Sequence, residues 1–314
     1  MPRTLIRPRG ADRERSLGWL AVWWIESFVV HGPGDVEGQP IVHGDEYTGF
    51  IVDCYSLDNE GGRLVDSSFI SRPKGCNKSG LAAEIALFEA LGPCRFDGWA
   101  KGGETFKYLG REYVYEPGEP MGRPVRYPMV RIMATEEDQT GNTYDMIYLN
   151  LTEGPLSQLK AYGLDAGKTR TLLPEGGEIM PSSSGAASKD GGKETFVVFD
   201  ETHLYNTNAL RSMYKTVSRN LVKRRKSAGT WYIETTTMYA PGEDSVAEHT
   251  YEYAQAIAAG KTKRSRMLYD HRWGDIKDLR VEDDLRKAII EAYGDALDWV
   301  SLEGVVDDIR SEER

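Results

Sequence analysis

The sequence contains few cysteines, no long apolar run and no excess of positive charge. Its three cysteines, Cys54, Cys76 and Cys94, fit neither a CxxC pair nor a dense disulfide framework. No stretch reaches about 18 uninterrupted apolar residues, which excludes a transmembrane helix. We therefore expect a protein of a reducing compartment, the cytoplasm, that has no membrane partner.

The charge balance excludes a protein that coats nucleic acid through its overall charge. The 314 residues carry 49 acidic and 39 basic side chains, a formal net charge of −10. The distribution is uneven, because residues 275–314 contain 13 acidic and six basic side chains, whereas residues 211–226 contain seven basic and no acidic ones. A transient contact with DNA needs a local positive surface and not a basic total.

An apolar segment, residues 17–30, follows the basic residues 3–15, as in a secretory signal peptide. We reject that interpretation because no small-residue cleavage site follows, and because the pair Trp23-Trp24 is not typical of a signal-peptide core. Residues 1–40 are interpreted as an N-terminal arm or helix, with residues 3–15 as a flexible arm.

Composition and pattern predict an α/β protein with a core of useful size. Forty per cent of the residues are hydrophobic, and 17 Tyr, 8 Phe and 7 Trp argue against disorder. Short apolar runs alternate with helical patterns, which is typical of a mostly parallel sheet flanked by helices. The predicted strands are residues 65–71, 129–134, 177–180, 195–200, 230–235 and 266–270. The predicted helices are residues 79–91, 136–151, 208–226, 245–259 and 282–293, and the Gly-rich residues 98–122 and 181–193 are predicted loops.

A tight loop between a strand and a helix is the first motif that indicates chemistry. Residues 71–79 have the sequence SRPKGCNKS. A strand, a loop, Lys-Ser and a helix form the P-loop arrangement, in which backbone N–H groups at the helix start face phosphates. Lys78 would reach the β- and γ-phosphates, and the Ser79 hydroxyl would bind Mg²⁺. The alternative is a surface turn that happens to contain Lys-Ser. The residues assigned to ATP binding are Arg72, Pro73, Lys74, Gly75, Cys76, Asn77, Lys78 and Ser79.

The second motif is a pair of carboxyls, Asp200 and Glu201, after five strand-favouring residues. An Asp at the carboxyl end of a buried strand can hold Mg²⁺ beside a P-loop. The neighbouring Glu can then orient and deprotonate the attacking water. The alternative is a strand end that only caps a helix. His203 either contributes near the γ-phosphate or begins a helix with a hydrogen-bond partner, and we favour the second interpretation. The two motifs together predict binding and hydrolysis of ATP with Mg²⁺.

A third strand ends in the hydroxyls of Thr235, Thr236 and Thr237. Such side chains can sense whether the γ-phosphate is present, although threonine favours strands in any case. With this strand the chain resembles the ATPase half of the large terminase subunit of tailed bacteriophages. The resembling segments are residues 72–75 with 77–79, residues 134–139, residues 198–201 and residues 234–237, which match in order and spacing from about residue 40 to about residue 300.

The resemblance implies a P-loop NTPase fold of the RecA/ASCE type with a small helical lid. Residues 1–40 would be an arm, residues 41–240 the ATPase core, and residues 241–314 the lid and an acidic linker. It implies a motor that hydrolyses ATP to drive double-stranded DNA into a preformed capsid. The motor would be a pentameric ring on a portal protein, with a small terminase subunit that selects DNA. Its location would be the host cytoplasm and, transiently, the portal vertex of the procapsid.

The resemblance also implies roles for single residues. Arg72 would contact or sense the γ-phosphate, and Thr235 to Thr237 would couple hydrolysis to movement. The implied catalytic residues are Glu201, Lys78, Arg72 and Lys189, and the implied metal ligands are Ser79 and Asp200.

Three features depart from the family pattern. Arg72 and Asn77 occupy the glycine positions of GxxxxGK[ST], although Asn tolerates a left-handed conformation better than most residues. Residues 181–194 contain no arginine that acts on a neighbouring subunit, so Lys189 is the candidate, with a point charge instead of a fork. The chain ends before the ribonuclease-H-like domain of full-length members would fit, so no nuclease activity is expected from it.

The basic segment has helical periodicity. Four cations recur every four residues and form one stripe of the predicted helix, apart from an apolar stripe. The basic stripe is a candidate contact for DNA phosphates or for an acidic patch on the next subunit, and the alternative is a solvated face. Its members are Arg211, Lys215, Arg219 and Lys223.

Two other functions stay open. Residues 200–203, DETH, are also typical of a superfamily 2 helicase or translocase, which would need a second RecA-like domain. A catalytically silent assembly module is suggested by the substituted phosphate loop and would bind partner chains without using ATP.

Overall fold

The computed structural model describes residues 2–135, 137–182, 192–262 and 265–312, and for residues 137–142 and 312 it describes the backbone alone. The strands are β1 (Arg3–Ile6), β2 (Ser67–Ser71), β3 (Arg95–Trp99), β4 (Thr105–Tyr108), β5 (Arg111–Val114), β6 (Pro120–Arg123), β7 (Met129–Met133), β8 (Asp165–Ala166), β9 (Thr171–Leu172), β10 (Glu178–Ser182), β11 (Phe196–Asp200), β12 (Trp231–Thr236) and β13 (Met267–Arg272). The α-helices are α1 (Gly18–Phe28), α2 (Asp45–Cys54), α3 (Lys78–Leu91), α4 (Glu137–Thr152), α5 (Asn208–Ala228), α6 (Val246–Ala258), α7 (Glu282–Tyr293) and α8 (Leu302–Glu312). Short 3-10 helices cover Pro155–Tyr162, Thr202–Leu204 and Gly294–Asp298.

A sheet with nine strands in the described residues forms the centre of the fold. Its order is β1-β13-β2-β12-β11-β7-β10-β9-β8. The strands from β13 to β10 are parallel neighbours, whereas β1, β9 and β8 pair antiparallel at the edges. Every residue of β11 is buried, as expected for a parallel sheet covered on both faces. The predicted α/β fold is confirmed, and the six predicted strands and five predicted helices are present within a few residues of their predicted bounds.

The apolar N-terminal segment forms a core helix, α1. Its Trp24 is fully buried and packs on Phe88 of α3, with ring centroids 5.6 Å apart. Gly18 allows α2 to approach closely, because a Cβ at Gly18 would lie 2.3 Å from the Cα of Val52. The helix therefore positions α2 and α3 beside the central sheet.

The prediction of a flexible arm at residues 3–15 is wrong. Strand β1 pairs antiparallel with β13 at the edge of the sheet. The Arg3 guanidinium donates two hydrogen bonds to Asp270, at 2.8 and 2.7 Å. Arg13 is bonded in the same way to Asp53 of α2, with both distances 2.9 Å. Backbone pairing and these ion pairs hold the segment, although its cations suggested a solvated one.

The prediction of a loop over residues 98–122 is also wrong. Strand β3 pairs with β6, and β4 pairs with β5, in two small antiparallel sheets. Aromatic side chains give these short strands something to pack against, since the Trp23 ring of α1 contacts the rings of Phe106 and Tyr113. The glycines occupy the turns between the strands. Of the other predicted loop, residues 181 and 182 end β10, and residues 183–191 lie outside the described residues.

The sheet extends beyond the predicted core of residues 41–240, because β1 and β13 belong to the flanking segments. Helices α7 and α8 share a separate apolar cluster that includes Leu285, Ile289 and Val306. The division of the chain into arm, core and lid stays a prediction. Among the described helices, none has the length and apolar character needed to cross a bilayer.

Candidate nucleotide-binding site

The three motifs meet at one edge of the sheet. Strands β2, β12 and β11 are parallel neighbours, so the phosphate loop, the three threonines and the two carboxyls all follow the carboxyl ends of adjacent strands. In the strand register, Thr236 is opposite Ser71 and Thr235 is opposite Asp200. In open α/β sheets this edge is where ligands bind.

The phosphate loop has the backbone conformation that its sequence puts in question. Asn77 adopts the left-handed conformation, with φ 53° and ψ 35°, and Gly75 has φ 82°. Asn77 therefore takes over the conformation of the usual glycine, as expected for a short polar side chain. Its side chain fills the space beside Gly80, where a Cβ would lie 2.1 Å from the Asn77 Oδ1. The loop accepts Asn77 because residue 80 is glycine.

Lys78 begins α3 and its side chain is buried. The ammonium donates to the Pro73 carbonyl within the same loop, at 2.8 Å. Burial lowers the pKa of Lys78, while the charge of Glu201 opposes that shift, which puts the ammonium near the carboxyl pair. Ser79 follows on the first turn of the helix and is half-buried. Lys74 is exposed at the tip of the loop.

The outer side of the loop is held by aromatic residues. The Tyr47 hydroxyl of α2 donates to the carbonyl of the buried Cys76. The indole N–H of Trp299 donates to the Gly75 carbonyl at 2.8 Å. These two side chains and Tyr293 of α7 line a cavity of about 300 Å³ beside the loop. The cavity is large enough to take a group attached to a phosphate that lies on the loop.

Arg72 lies behind the loop in a buried ion pair. Its guanidinium donates to an Asp270 carboxylate oxygen at 2.9 Å and to the carbonyls of Ser71 and Asp270 at 2.8 and 3.2 Å. Glu46 of α2 lies 3.8 Å away. The Arg72 Nε is buried without a hydrogen-bond partner among the described residues. The structure thus places Arg72 on β13, and its contact with the γ-phosphate stays a prediction.

Asp200 and Glu201 differ in environment. Asp200 is buried and accepts hydrogen bonds from the hydroxyls of Thr143, at 2.9 Å, and Thr235, at 2.5 Å. Glu201 has a left-handed backbone, with φ 57°, and is partly exposed. Burial and the charge of Asp200 raise the pKa of Glu201, while Lys78 lowers it. A carboxyl with a raised pKa is suited to accept a proton from water.

The remaining threonines surround His203. The Thr236 hydroxyl accepts from the His203 backbone N–H at 3.1 Å, and the Thr237 hydroxyl lies 3.3 Å from the His203 Nε2. The His203 Nδ1 is 3.1 Å from a Glu201 oxygen. Burial, and then the charge of Lys78, lower the pKa of His203. His203 therefore links the strand end of β12 to Glu201, at the start of a 3-10 helix and with hydrogen-bond partners.

Sequence reasoning missed Thr143, which lies on α4 and bonds to Asp200 across 57 residues of sequence. It also missed Asp270, Tyr47 and Trp299, which have no motif around them. Lys189 lies outside the described residues. Of the resembling segment 134–139, Glu136 lies outside the described residues, and for residues 137–139 only the backbone is described.

Helix α5 presents its cations away from the core. Met213, Val217 and Leu221 are buried, while Lys215 and Arg219 are exposed. The other two members of the basic stripe have partners on the protein. Arg211 contacts Asp244, and Lys223 donates to Asn220 at 2.8 Å.

Comparisons with known proteins agree with this geometry. Residues 121–256 match the family model described as the ATPase domain of the terminase large subunit. The chain is 25% identical over 284 residues to the gene 13 protein of Mycobacterium phage L5, covering 82% of this chain and 44% of that protein. It is 24% identical to the gene 13 protein of Mycobacterium phage D29, covering 96% of this chain and 53% of that protein. The chain thus spans about half the length of the curated relatives it matches.

The fold has a counterpart among solved structures. The large terminase of bacteriophage HK97 superposes with a TM-score of 0.62 at 14% identity, over 95% of this chain and 52% of that one. At that identity the likeness concerns the fold. The family match covers β7, β11 and β12, including the carboxyl pair and the three threonines. By this match and by its fold, the chain belongs to the terminase large subunits of bacteriophages, through their ATPase domain.

Proposed function

We propose that this chain is the ATP-hydrolysing motor that drives double-stranded DNA into a procapsid. The observation that carries the proposal is the single sheet edge at which the phosphate loop, Asp200, Glu201 and Thr235 lie together. A helix start, a buried lysine and two carboxyls in this order are the parts that phosphoryl transfer from ATP to water requires.

The residues present fit Mg²⁺ and ATP. The left-handed Gly75 and Asn77 direct the loop around the start of α3, where N–H groups and the helix dipole favour phosphate. Ser79 and Asp200 would hold Mg²⁺, which supplies positive charge at the phosphate oxygens. Lys78 would exchange the Pro73 carbonyl for phosphate oxygens. Glu201 would accept the proton of the attacking water, and His203 would orient the carboxyl of Glu201.

The proposed partners follow from the resemblance and from the charge pattern. We assign DNA as substrate, a portal protein and a small terminase subunit as partners, and a homo-oligomeric ring, a pentamer, as the working form. Lys189 is proposed to act on the neighbouring subunit. The proposed location is the host cytoplasm, with transient residence at the portal vertex. Thr235 to Thr237 are proposed to couple hydrolysis to DNA movement, since Thr235 bonds directly to Asp200.

Hydrolysis of radiolabelled ATP, measured with and without linear duplex DNA over a range of protein concentrations, tests the proposal. We expect turnover that increases with DNA and with concentration as the ring assembles. Lys78→Ala removes a cation that faces the transferred phosphate, so it is expected to lower turnover by at least about 100-fold. No turnover at any concentration would favour the silent assembly module. Unwinding of duplex DNA by this chain alone would favour the helicase.

The basic stripe of α5 is the proposed contact with DNA phosphates. Reversing two of its charges, with Arg219→Glu and Lys223→Glu, is expected to weaken DNA stimulation and to lower the salt dependence of DNA binding by about two contacts. The same reversal at the exposed Lys160 and Lys168, which lie away from α5, is the matched control and is expected to change neither. If DNA stimulation and assembly both stay unchanged in the α5 variant, the stripe is a solvated face.

A further inference from the structure

Buried carboxyls in this protein are nearly all paired with cations. Within the described residues seven of them form ion pairs with arginine or histidine, whereas Asp200 and Glu234 form none. A buried carboxylate without a counter-charge is costly. Asp200 has a use in the proposed metal site. Glu234 has none in the proposed chemistry, and its burial in β12 calls for a physical reason.

The partners of Glu234 are hydroxyls from two helices. The Tyr214 hydroxyl of α5 donates to the Glu234 Oε1 at 2.8 Å. The Thr250 hydroxyl of α6 lies 3.2 and 3.1 Å from the two carboxyl oxygens. Burial raises the pKa of Glu234 to about 7, while the hydrogen bonds from Tyr214 and Thr250 lower it. The carboxyl is therefore held by these hydroxyls and not by an opposite charge.

The position of Glu234 connects the candidate nucleotide site to α5. It directly precedes Thr235, whose hydroxyl donates to Asp200. The Tyr214 ring packs on Phe199, with centroids 4.6 Å apart, and Phe199 directly precedes Asp200. Tyr214 is also adjacent to Lys215 of the exposed basic stripe. Two contacts thus join the strand ends that carry the site to the helix that carries the cations.

We propose that Glu234, together with Tyr214, is a positioning residue that transmits the state of the nucleotide site to helix α5. The proposal rests on nucleotide binding at the proposed site. A hydrogen bond buried away from water is expensive to break without a substitute, so β12 and α5 shift together when the end of β12 shifts. A change at Thr235 and Asp200 therefore moves the basic stripe by way of the Glu234 carboxyl.

Amide hydrogen exchange of the full chain, with and without Mg²⁺ and the non-hydrolysable analogue adenylyl imidodiphosphate, tests the proposal. Peptides that cover residues 72–79 report nucleotide binding, and peptides that cover α5 report transmission. In the unmodified chain we expect both to change. In Tyr214→Phe the phosphate-loop response is kept, whereas the change in exchange rate in α5 falls at least about fivefold, the lower range of a coupling free energy.

Tyr232→Phe is the matched control. The Tyr232 hydroxyl lies 2.9 Å from that of Tyr214 but has no hydrogen bond to Glu234 among the described contacts, so its α5 response is expected to match the unmodified chain. Glu234→Gln is a second variant that keeps the size of the side chain and removes its charge, and it is expected to weaken the response as Tyr214→Phe does.

The outcomes separate the two claims. An unchanged α5 response in Tyr214→Phe and Glu234→Gln would overturn the proposal, as would an α5 that does not respond in the unmodified chain. A phosphate loop that shows no response would refute nucleotide binding and with it the transmission. If α5 responds as described but DNA does not stimulate hydrolysis, the transmission stands and the DNA motor does not.

Discussion

Replacing Glu201 by glutamine is expected to lower ATP turnover by about 10²–10⁴-fold while leaving nucleotide binding nearly unchanged, because the variant keeps the shape of the side chain but removes the base. The geometry supports this role, since Glu201 is partly exposed next to the buried Asp200 and its pKa is raised. Single-turnover hydrolysis and a separate titration with nucleotide measure the two quantities.

The matched control is Glu243→Gln, the same exchange at an exposed carboxyl on the loop after β12. Glu243 contributes a charge near His203 but has no contact with Asp200 or Lys78 among the described hydrogen bonds. We expect its turnover to match that of the unmodified chain. If Glu201→Gln also retains turnover within about tenfold, the lower limit for a general base being larger, then another group activates the water.

Much of the candidate site was predictable because each motif is local in sequence. A strand followed by carboxyls, or a loop followed by Lys-Ser, is visible in nine residues. The parallel pattern then requires that the carboxyl ends of β2, β11 and β12 share one edge. The family match includes the carboxyl pair and the threonines, which agrees with that inference. The conformation of Asn77 also followed from its short polar side chain.

The rest was not predictable because it depends on pairs that are distant in sequence. Asp270 contacts Arg72 across 198 residues and Arg3 across 267. Nothing around Arg3 distinguishes it from the other N-terminal cations, so the segment was interpreted as a flexible arm. In residues 98–122 the glycines indicated a loop, while the burial that stabilises β4 and β5 comes from Trp23 of a distant helix.

The buried pair of Arg72 and Asp270 predicts the largest effect on stability. Asp270→Asn is expected to lower the free energy of unfolding by about 3 kcal/mol, the lower end for removal of one partner of a buried ion pair. Both side chains are essentially inaccessible, with exposed fractions of 1% and 0%. The variant leaves the Arg72 guanidinium buried with only Glu46, at 3.8 Å, as a nearby carboxylate. Unfolding in urea at pH 7 measures the loss.

The pH dependence of that loss identifies its cause. Burial alone would raise the pKa of Asp270, but Arg3 and Arg72 outweigh it and hold the pKa below the usual value of 3.8. The ionised carboxylate therefore stabilises the fold above about pH 4, and this contribution disappears as the pH falls through the lowered pKa. The difference between Asp270→Asn and the unmodified chain should shrink accordingly. Asp278→Asn, at an exposed aspartate paired with Arg280, is the control and should show no measurable change at any pH. A difference for Asp270→Asn that is constant down to about pH 3 would mean that packing, and not charge, makes the contribution.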